Sequence, residues 1–319
     1  MKTGLLLEGG AMRGLYTAGV LDVFMENNIK IDGIVGVSAG ALFGMNYKSK
    51  QIGRVLRYNK KYAGNRNYMG LYSFLTTGNI MNEDFCFKRI VNELDPIDYE
   101  TFKKTDVDFY AVVTNIETGK AEYVKIDDLK DKNNLEILRA SGSMPFVSKP
   151  VVVNNKKYLD GGIADSIPID KIMSMGFDRI IVVLTRPSDY RKKKTNQAFP
   201  KIYYRKYPNF AKTINERYKK YNEELDKISE LEKNDKILVI RPSKLVKIKR
   251  IEKDSDKLQE MYDLGKDIDM SIIDKVRTNA RYVKYTHKKI DGSIEEEKQL
   301  MDTETFKQFI QKTDVHLIF

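Results

Sequence analysis

Apolar and polar positions along this chain fall in short blocks whose period changes. Residues 2–8 hold Leu5, Leu6 and Leu7 in a row and stop at Glu8, the pattern of a buried strand. A glycine-rich turn follows. From 15 to 27, Leu15, Ala18, Leu21, Val23 and Met25 give a broad helical apolar face. Residues 31–35 form a second apolar run. A strand, a helix and a strand in that order make a crossover unit, whose right-handed form sets the strands parallel and adjacent or nearly so.

Residues 41–62 predict two helices. The stretch 64–82, rich in Asn, Gly and Tyr, predicts a loop with short helical pieces, and 83–94 predicts a further helix. Residues 107–114 read as a buried strand that pairs with 121–126 as a hairpin around Glu117-Thr118-Gly119-Lys120. A short helix at 135–141 precedes strands at 151–153 and 156–159, which flank an Asn154-Asn155 turn. Pro168 opens a helix, and 179–184 and 236–241 are two more strands. Residues 256–277, with Leu258, Met261, Leu264, Ile268, Ile272 and Ile273, predict one long amphipathic helix. Beyond 281 the chain is charged and weakly patterned.

Buried strands alternating with helices predict an α/β fold, with a mainly parallel central sheet, helices on both faces and a C-terminal helical extension. The blocks divide the chain into an α/β core at 1–185 and a segment at 186–280 that completes or caps it. A charged tail at 281–319 has no legible role.

Composition narrows the chemistry. The single cysteine, Cys86, excludes an intrachain disulfide and a thiolate metal cluster, and between Phe85 and Phe87 it reads as a small buried hydrophobe. The two histidines, His287 and His316, lie near the C-terminal end, so a Ser-His-Asp triad would need one of them to fold back. A histidine-rich metal site is excluded. The N-terminal residues lack the pattern of a signal peptide, and no stretch has the length to span a bilayer, so a cytoplasmic protein is expected.

The net charge of +11 is concentrated: residues 186–220 carry twelve Lys and Arg against two Asp and Glu, with Tyr203, Tyr204, Tyr207, Phe210 and Tyr218 interleaved. Such a segment suits an anionic lipid surface, and phosphate of nucleic acid would attract it too. A plainer reading is an exposed helix pair covering the sheet edge. No nucleic-acid-binding motif accompanies it, so peripheral membrane contact is the expected partner and nucleic acid is not.

Residues 36–40, Gly36-Val37-Ser38-Ala39-Gly40, have the G-x-S-x-G spacing of a nucleophile elbow, in which Gly36 and Gly40 free a tight turn and Ser38 points outward. Alone the pattern is common. Ester hydrolysis also needs a base and N–H donors for an oxyanion. The loop Gly9-Gly10-Ala11-Met12-Arg13-Gly14 offers small residues ahead of a helix N-terminus. It could instead cradle a nucleotide phosphate, although it lacks both the dinucleotide spacing and a P-loop Lys. Within the loop, Arg13 could orient the backbone, meet a substrate phosphate or face solvent. A carboxylate is the natural base, and Asp160, at a strand end before Gly161-Gly162, is the best placed; an aspartate there is also an ordinary turn residue.

Leu7 to Gly14, then Gly36 to Gly40, then Asp160-Gly161-Gly162, in this order and spacing, resemble the patatin-like phospholipase family in its bacterial branch. The specific likeness runs from Leu5 to about Leu184 and continues more loosely to about Arg277. It implies a three-layer patatin-like fold and a Ser-Asp dyad, with Ser38 as nucleophile and Asp160 as its base. The loop Gly9, Gly10, Ala11, Met12, Arg13, Gly14 becomes the oxyanion hole, and residues 141–145 and Pro150 line the site. It also implies a phospholipid or lysophospholipid substrate, with no cofactor and no metal. One departure is Ala11, which stands where the family has a third glycine. A positive φ there would cost about 1–2 kcal/mol. A non-catalytic lipid-surface protein and an acyltransferase would use the same fold, and the latter the same residues.

Overall fold

The computed structural model describes residues 2–277, 281–288, 293–301, 308–309 and 316–318. Its central sheet contains β1 (Thr3–Leu7), β2 (Gly33–Val37), β3 (Asp108–Asn115), β4 (Ala121–Lys125), β5 (Val151–Val153), β6 (Lys156–Asp160), β7 (Arg179–Val183) and β8 (Leu238–Ile240). The parallel part runs in the order β3-β2-β1-β7-β8, and β4, β5 and β6 add antiparallel pairs at the β3 end. The apolar runs read as buried strands are buried on both faces because alternate side chains feed two cores. Leu5, Leu7, Ile34, Ile181 and Val183 join one core, with the helices α1 (Leu15–Glu26) and α2 (Ala39–Lys48), Arg54–Tyr62 and Ser255–Lys266. Leu6, Val35, Val37, Val112 and Val182 join the other, under the helices Ile169–Met173 and Pro208–Lys233.

Register brings distant segments together. Ala111 of β3 is opposite both Gly36 of β2 and Val124 of β4, and Val113 is opposite both Asp160 of β6 and Glu122 of β4. Strands β2 and β6 therefore share the edge of β3 that β4 leaves free. They run toward each other and stop at Val37, opposite Val112, and at Asp160, opposite Val113. The residues that follow the two strands meet at one point. Gly161 is required there, since a Cβ would collide with the Val112 carbonyl.

Two expectations change. The helix expected over 256–277 is broken into Ser255–Lys266 and Met270–Arg277. Asp269 causes the second start: its carboxylate accepts the Ser271 N–H at 2.8 Å, a cap that competes with continuing the helix. The tail expected to be weakly patterned contains β9 (Arg281–Lys288), β10 (Ile294–Met301) and β11 (His316–Ile318), paired antiparallel in the order β10-β9-β11. Among the described residues no helix is long and apolar enough to cross a membrane.

Candidate active site

The turn after β2 forces Ser38 into an unusual backbone conformation, φ 53° and ψ −122°. Such a conformation costs on the order of 1–3 kcal/mol and persists only where its surroundings hold it. Three contacts do so. The Ser38 N–H donates to Ser141 Oγ at 2.9 Å, and the Ser141 hydroxyl donates onward to the Val112 carbonyl at 2.7 Å. The Ser38 carbonyl accepts from Ala41 and Leu42 at 3.0 Å, the first bonds of α2. A Cβ on Gly36 would stand 2.7 Å from Ala41 Cα, and one on Gly40 would collide with the Leu7 carbonyl, so α2 packs tightly onto the strand ends.

Asp160 arrives from the opposing strand. Its Oδ2 accepts the Ser38 hydroxyl at 2.8 Å and its Oδ1 accepts the Gly162 N–H at 2.8 Å. Its own N–H donates to the Ser143 carbonyl at 2.8 Å, and its carbonyl accepts the Thr114 hydroxyl at 2.8 Å, so the carboxylate is fixed from both sides. Burial raises the Asp160 pKa above the usual aspartate range, opposed by Arg217 and by the bonds from Ser38 and Gly162.

The glycine loop lies against this pair. A Cβ on Gly9 would stand 2.9 Å from Ser38 Cβ, one on Gly10 2.8 Å from Thr185 Oγ1, and one on Gly14 2.8 Å from Ala39 Cβ. The Gly9 and Gly10 N–H groups donate to no backbone carbonyl among the described residues. Ala11 has φ 51°, the conformation a glycine would enter freely, so alanine here carries about 1–2 kcal/mol of strain. Behind the loop Glu8 is buried and accepts the Thr185 N–H at 2.6 Å, the Thr185 hydroxyl at 3.0 Å and the Tyr221 hydroxyl at 2.6 Å. It ties the loop to β7 and to the helix Pro208–Lys233. Arg13 is turned inward rather than to solvent, and its Nε is buried without a hydrogen-bond partner.

Ser38, Ala11 and Met12 open onto an apolar cavity with about 840 Å³ of empty space, its mouth included. Leu42, Phe87, Ile90 and Met144 are among its walls. The arrangement offers a hydroxyl bonded to a buried carboxylate, backbone donors beside it and an apolar wall. Cys86 also lines this cavity, and burial raises its thiol pKa.

Some residues at the site were not singled out for it by sequence. Arg217, deep in the basic segment, brings a guanidinium nitrogen within 3.4 Å of the Cβ position on Gly162, beside Asp160. Arg250 lines the cavity with Ser38. Composition marked Arg217 only as one of many charges, and nothing marked Arg250.

Comparison with known proteins places the chain in a family. Residues 5–173 match the patatin-like phospholipase family, and residues 207–279 match a domain of unknown function, DUF6363. Among curated relatives, the uncharacterized protein YjjU of Escherichia coli is 30% identical over 199 residues, covering 59% of this chain and 53% of YjjU. The probable lipid hydrolase 463L of Invertebrate iridescent virus 6 is 29% identical over 209 residues, covering 59% of this chain and 71% of 463L. Lysophospholipase nte1 of Neurospora crassa is 27% identical over 196 residues, which are 57% of this chain and 12% of nte1. The alignment thus spans about half of YjjU and a small part of the fungal enzyme. With more than half of its length matched by the family as a whole, the chain belongs to the patatin-like phospholipase family.

Proposed function

We propose that this protein is a serine acyl hydrolase that cleaves fatty-acyl esters of phospholipids or lysophospholipids. The hydrogen bond of 2.8 Å from Ser38 Oγ to Asp160 Oδ2, in the wall of an apolar cavity, carries this reading. Ser38 Oγ attacks the ester carbonyl while Asp160 takes its proton. The carbonyl oxygen, now negative, is met by the Gly9, Gly10 and Ala11 N–H groups. Asp160 returns the proton to the leaving alcohol oxygen. Water, deprotonated by Asp160, then attacks the acyl-serine, and the fatty acid leaves as Ser38 regains its proton. Burial makes Asp160 a stronger base than an aspartate in water, which suits a site with no histidine among the described residues that line it. The viral relative, a probable lipid hydrolase, and the fungal one, a lysophospholipase, point to the same class of bond.

The proposal includes peripheral contact of the 186–220 segment with an anionic membrane. Ile202 and Tyr203 are exposed on the helix Ala198–Tyr203, as are Leu71 and Leu75 on the helix Leu71–Thr77. Phe146 packs on Phe199 and Tyr203, and the neighbouring Val147 carbonyl accepts the Ile80 N–H at 2.7 Å, so one loop connects the two helices. Exposed Lys201, Arg205 and Lys206 surround this rim, each able to contribute about 1 kcal/mol near anionic lipid.

The test is hydrolysis of acyl esters together with fluorophosphonate labelling. Ser38→Ala and Asp160→Asn should each lower kcat by about 10³-fold or more, and Ser38→Ala should abolish labelling. Turnover near the wild-type rate in either variant, or a wild-type protein that neither labels nor turns over, overturns the reading.

A further inference from the structure

We infer that Arg13, Arg186, Lys192, Arg217 and Arg250 form a phosphate subsite beside Ser38, so that the ester bound there carries an anionic phosphate headgroup. The use of the subsite in turnover rests on the hydrolase reading; its existence rests on the following geometry.

The five cations come from four separate segments and converge on one region. Arg13 belongs to the loop packed on Ser38, and Arg250 lines the same cavity as Ser38. Arg217 stands beside Asp160 and reaches Ser166 Oγ through its Nε at 3.3 Å. Arg186 follows Thr185, whose hydroxyl bonds Glu8, and its guanidinium lies 4.4 Å from the Tyr190 ring centre. The Lys192 ammonium lies 4.4 Å from the ring centre of Tyr221, whose hydroxyl also bonds Glu8.

The carboxylates in reach are already engaged. Glu8 is occupied by Thr185 and Tyr221, and Asp160 by Ser38 and Gly162. Arg13 Nε and Arg186 Nε are buried with no hydrogen-bond partner, an arrangement that buried polar groups avoid unless a ligand completes it. The cations also act on one another. Burial, then Arg217, pushes the Lys192 amine down to about 7, with Arg13 and Arg250 adding to the effect and Glu8 opposing it. Burial and Arg186 lower Arg13 in the same way.

Phosphate fits this place better than a neutral or zwitterionic group. Its oxygens accept forked N–H donors from several guanidinium groups at once. Its charge relieves the repulsion among the five cations. A choline or ethanolamine headgroup would return a positive charge to the cluster. The ester and its phosphate would thus lie between this subsite and the apolar cavity, with the carbonyl at Ser38.

The shared chemistry could come from a lipid headgroup or from free phosphate, and binding separates them without any turnover. Calorimetry on the full chain carrying Ser38→Ala compares octanoyl lysophosphatidate, monooctanoylglycerol and inorganic phosphate. The lysophosphatidate should bind about tenfold or more tightly than the neutral ester. The difference should disappear when Arg186→Gln and Lys192→Met are added, and shrink with Arg250→Gln. Arg250 is exposed, so its variant keeps the test open if the changes at half-buried Arg186 and Lys192 unfold the protein. Equal affinity for the two esters, or a difference that survives these substitutions, overturns the subsite. Inorganic phosphate binding as tightly as lysophosphatidate assigns the site to a free anion and overturns the headgroup. Failure of the hydrolase reading would appear only in turnover and would leave these affinities as they are.

Discussion

Ser141 holds Ser38 through its hydroxyl, which accepts the Ser38 N–H at 2.9 Å and donates to the Val112 carbonyl at 2.7 Å. It links the strained turn to the strand on which Asp160 also rests. Removing it in Ser141→Ala leaves a buried N–H without its partner, at a cost of about 1–3 kcal/mol. Urea unfolding should show that loss, and kcat should fall more than KM rises. Ser141→Thr, which keeps the hydroxyl, should recover part of both. An unchanged midpoint and unchanged kcat in Ser141→Ala would show that the turn holds itself.

Asp160 is pulled in two directions: burial raises its pKa and Arg217 lowers it. As a base it must be ionised, so activity falls with pH as the carboxylate gains a proton. Arg217→Met removes the nearby cation and should move the acid limb of kcat/KM to higher pH. A limb that stays in place, measured on a neutral ester, would separate Arg217 from the ionisation of Asp160.

Ala11 is strained where glycine would not be. At negative φ an Ala→Gly change loosens the unfolded chain and destabilises by about 0.4–1 kcal/mol. At φ 51° the relief of about 1–2 kcal/mol outweighs it. Ala11→Gly should therefore leave the unfolding midpoint unchanged or raise it, and denaturant titration of the two proteins decides the sign.

Glu224 carries a second pH effect. Burial, then the neighbouring Asp165 carboxylate, pushes its pKa up to about 9, with Lys220 opposing. Protonated Glu224 hydrogen-bonds the Asp165 carboxylate, and Lys220 Nζ stands 3.6 Å from Asp165 Oδ2 and 3.8 Å from Glu224 Oε1. The folded protein keeps this proton where the unfolded chain, with an ordinary glutamate, has released it. The contribution to stability is full below the unfolded pKa and is lost as pH rises toward about 9. Glu224→Gln should flatten the decline in Tm between mildly acidic and mildly alkaline pH. Parallel declines in the two proteins would remove Glu224 as their source.

The core strands and the local turns are legible along the chain. Leu5 to Leu7, Ile34 to Val37 and Ile180 to Val183 are short apolar runs, two of them rich in β-branched residues, and such runs suit strands buried on both faces. The elbow at Ser38 was legible from a spacing over five residues, although distant contacts such as Ser141 hold it. Asp160 was legible as a candidate and no further, since any aspartate before two glycines looks alike in sequence. The break at Asp269 escaped because an apolar period ran through a capping residue, and the strands after 281 escaped because their pairing is not local.

The meeting of Ser38 and Asp160 is set by strand pairing. That follows from β2 and β6 ending head to head on one edge of β3, a matter of register between segments more than a hundred residues apart. Tertiary packing also decides which way the positive charge points. Composition counted twelve basic residues in 186–220, but burial and neighbours turn Arg186, Lys192 and Arg217 inward, while Lys201, Arg205 and Lys206 remain exposed. Charge is a property of the residue, whereas its direction is set by the packing of the helix that carries it.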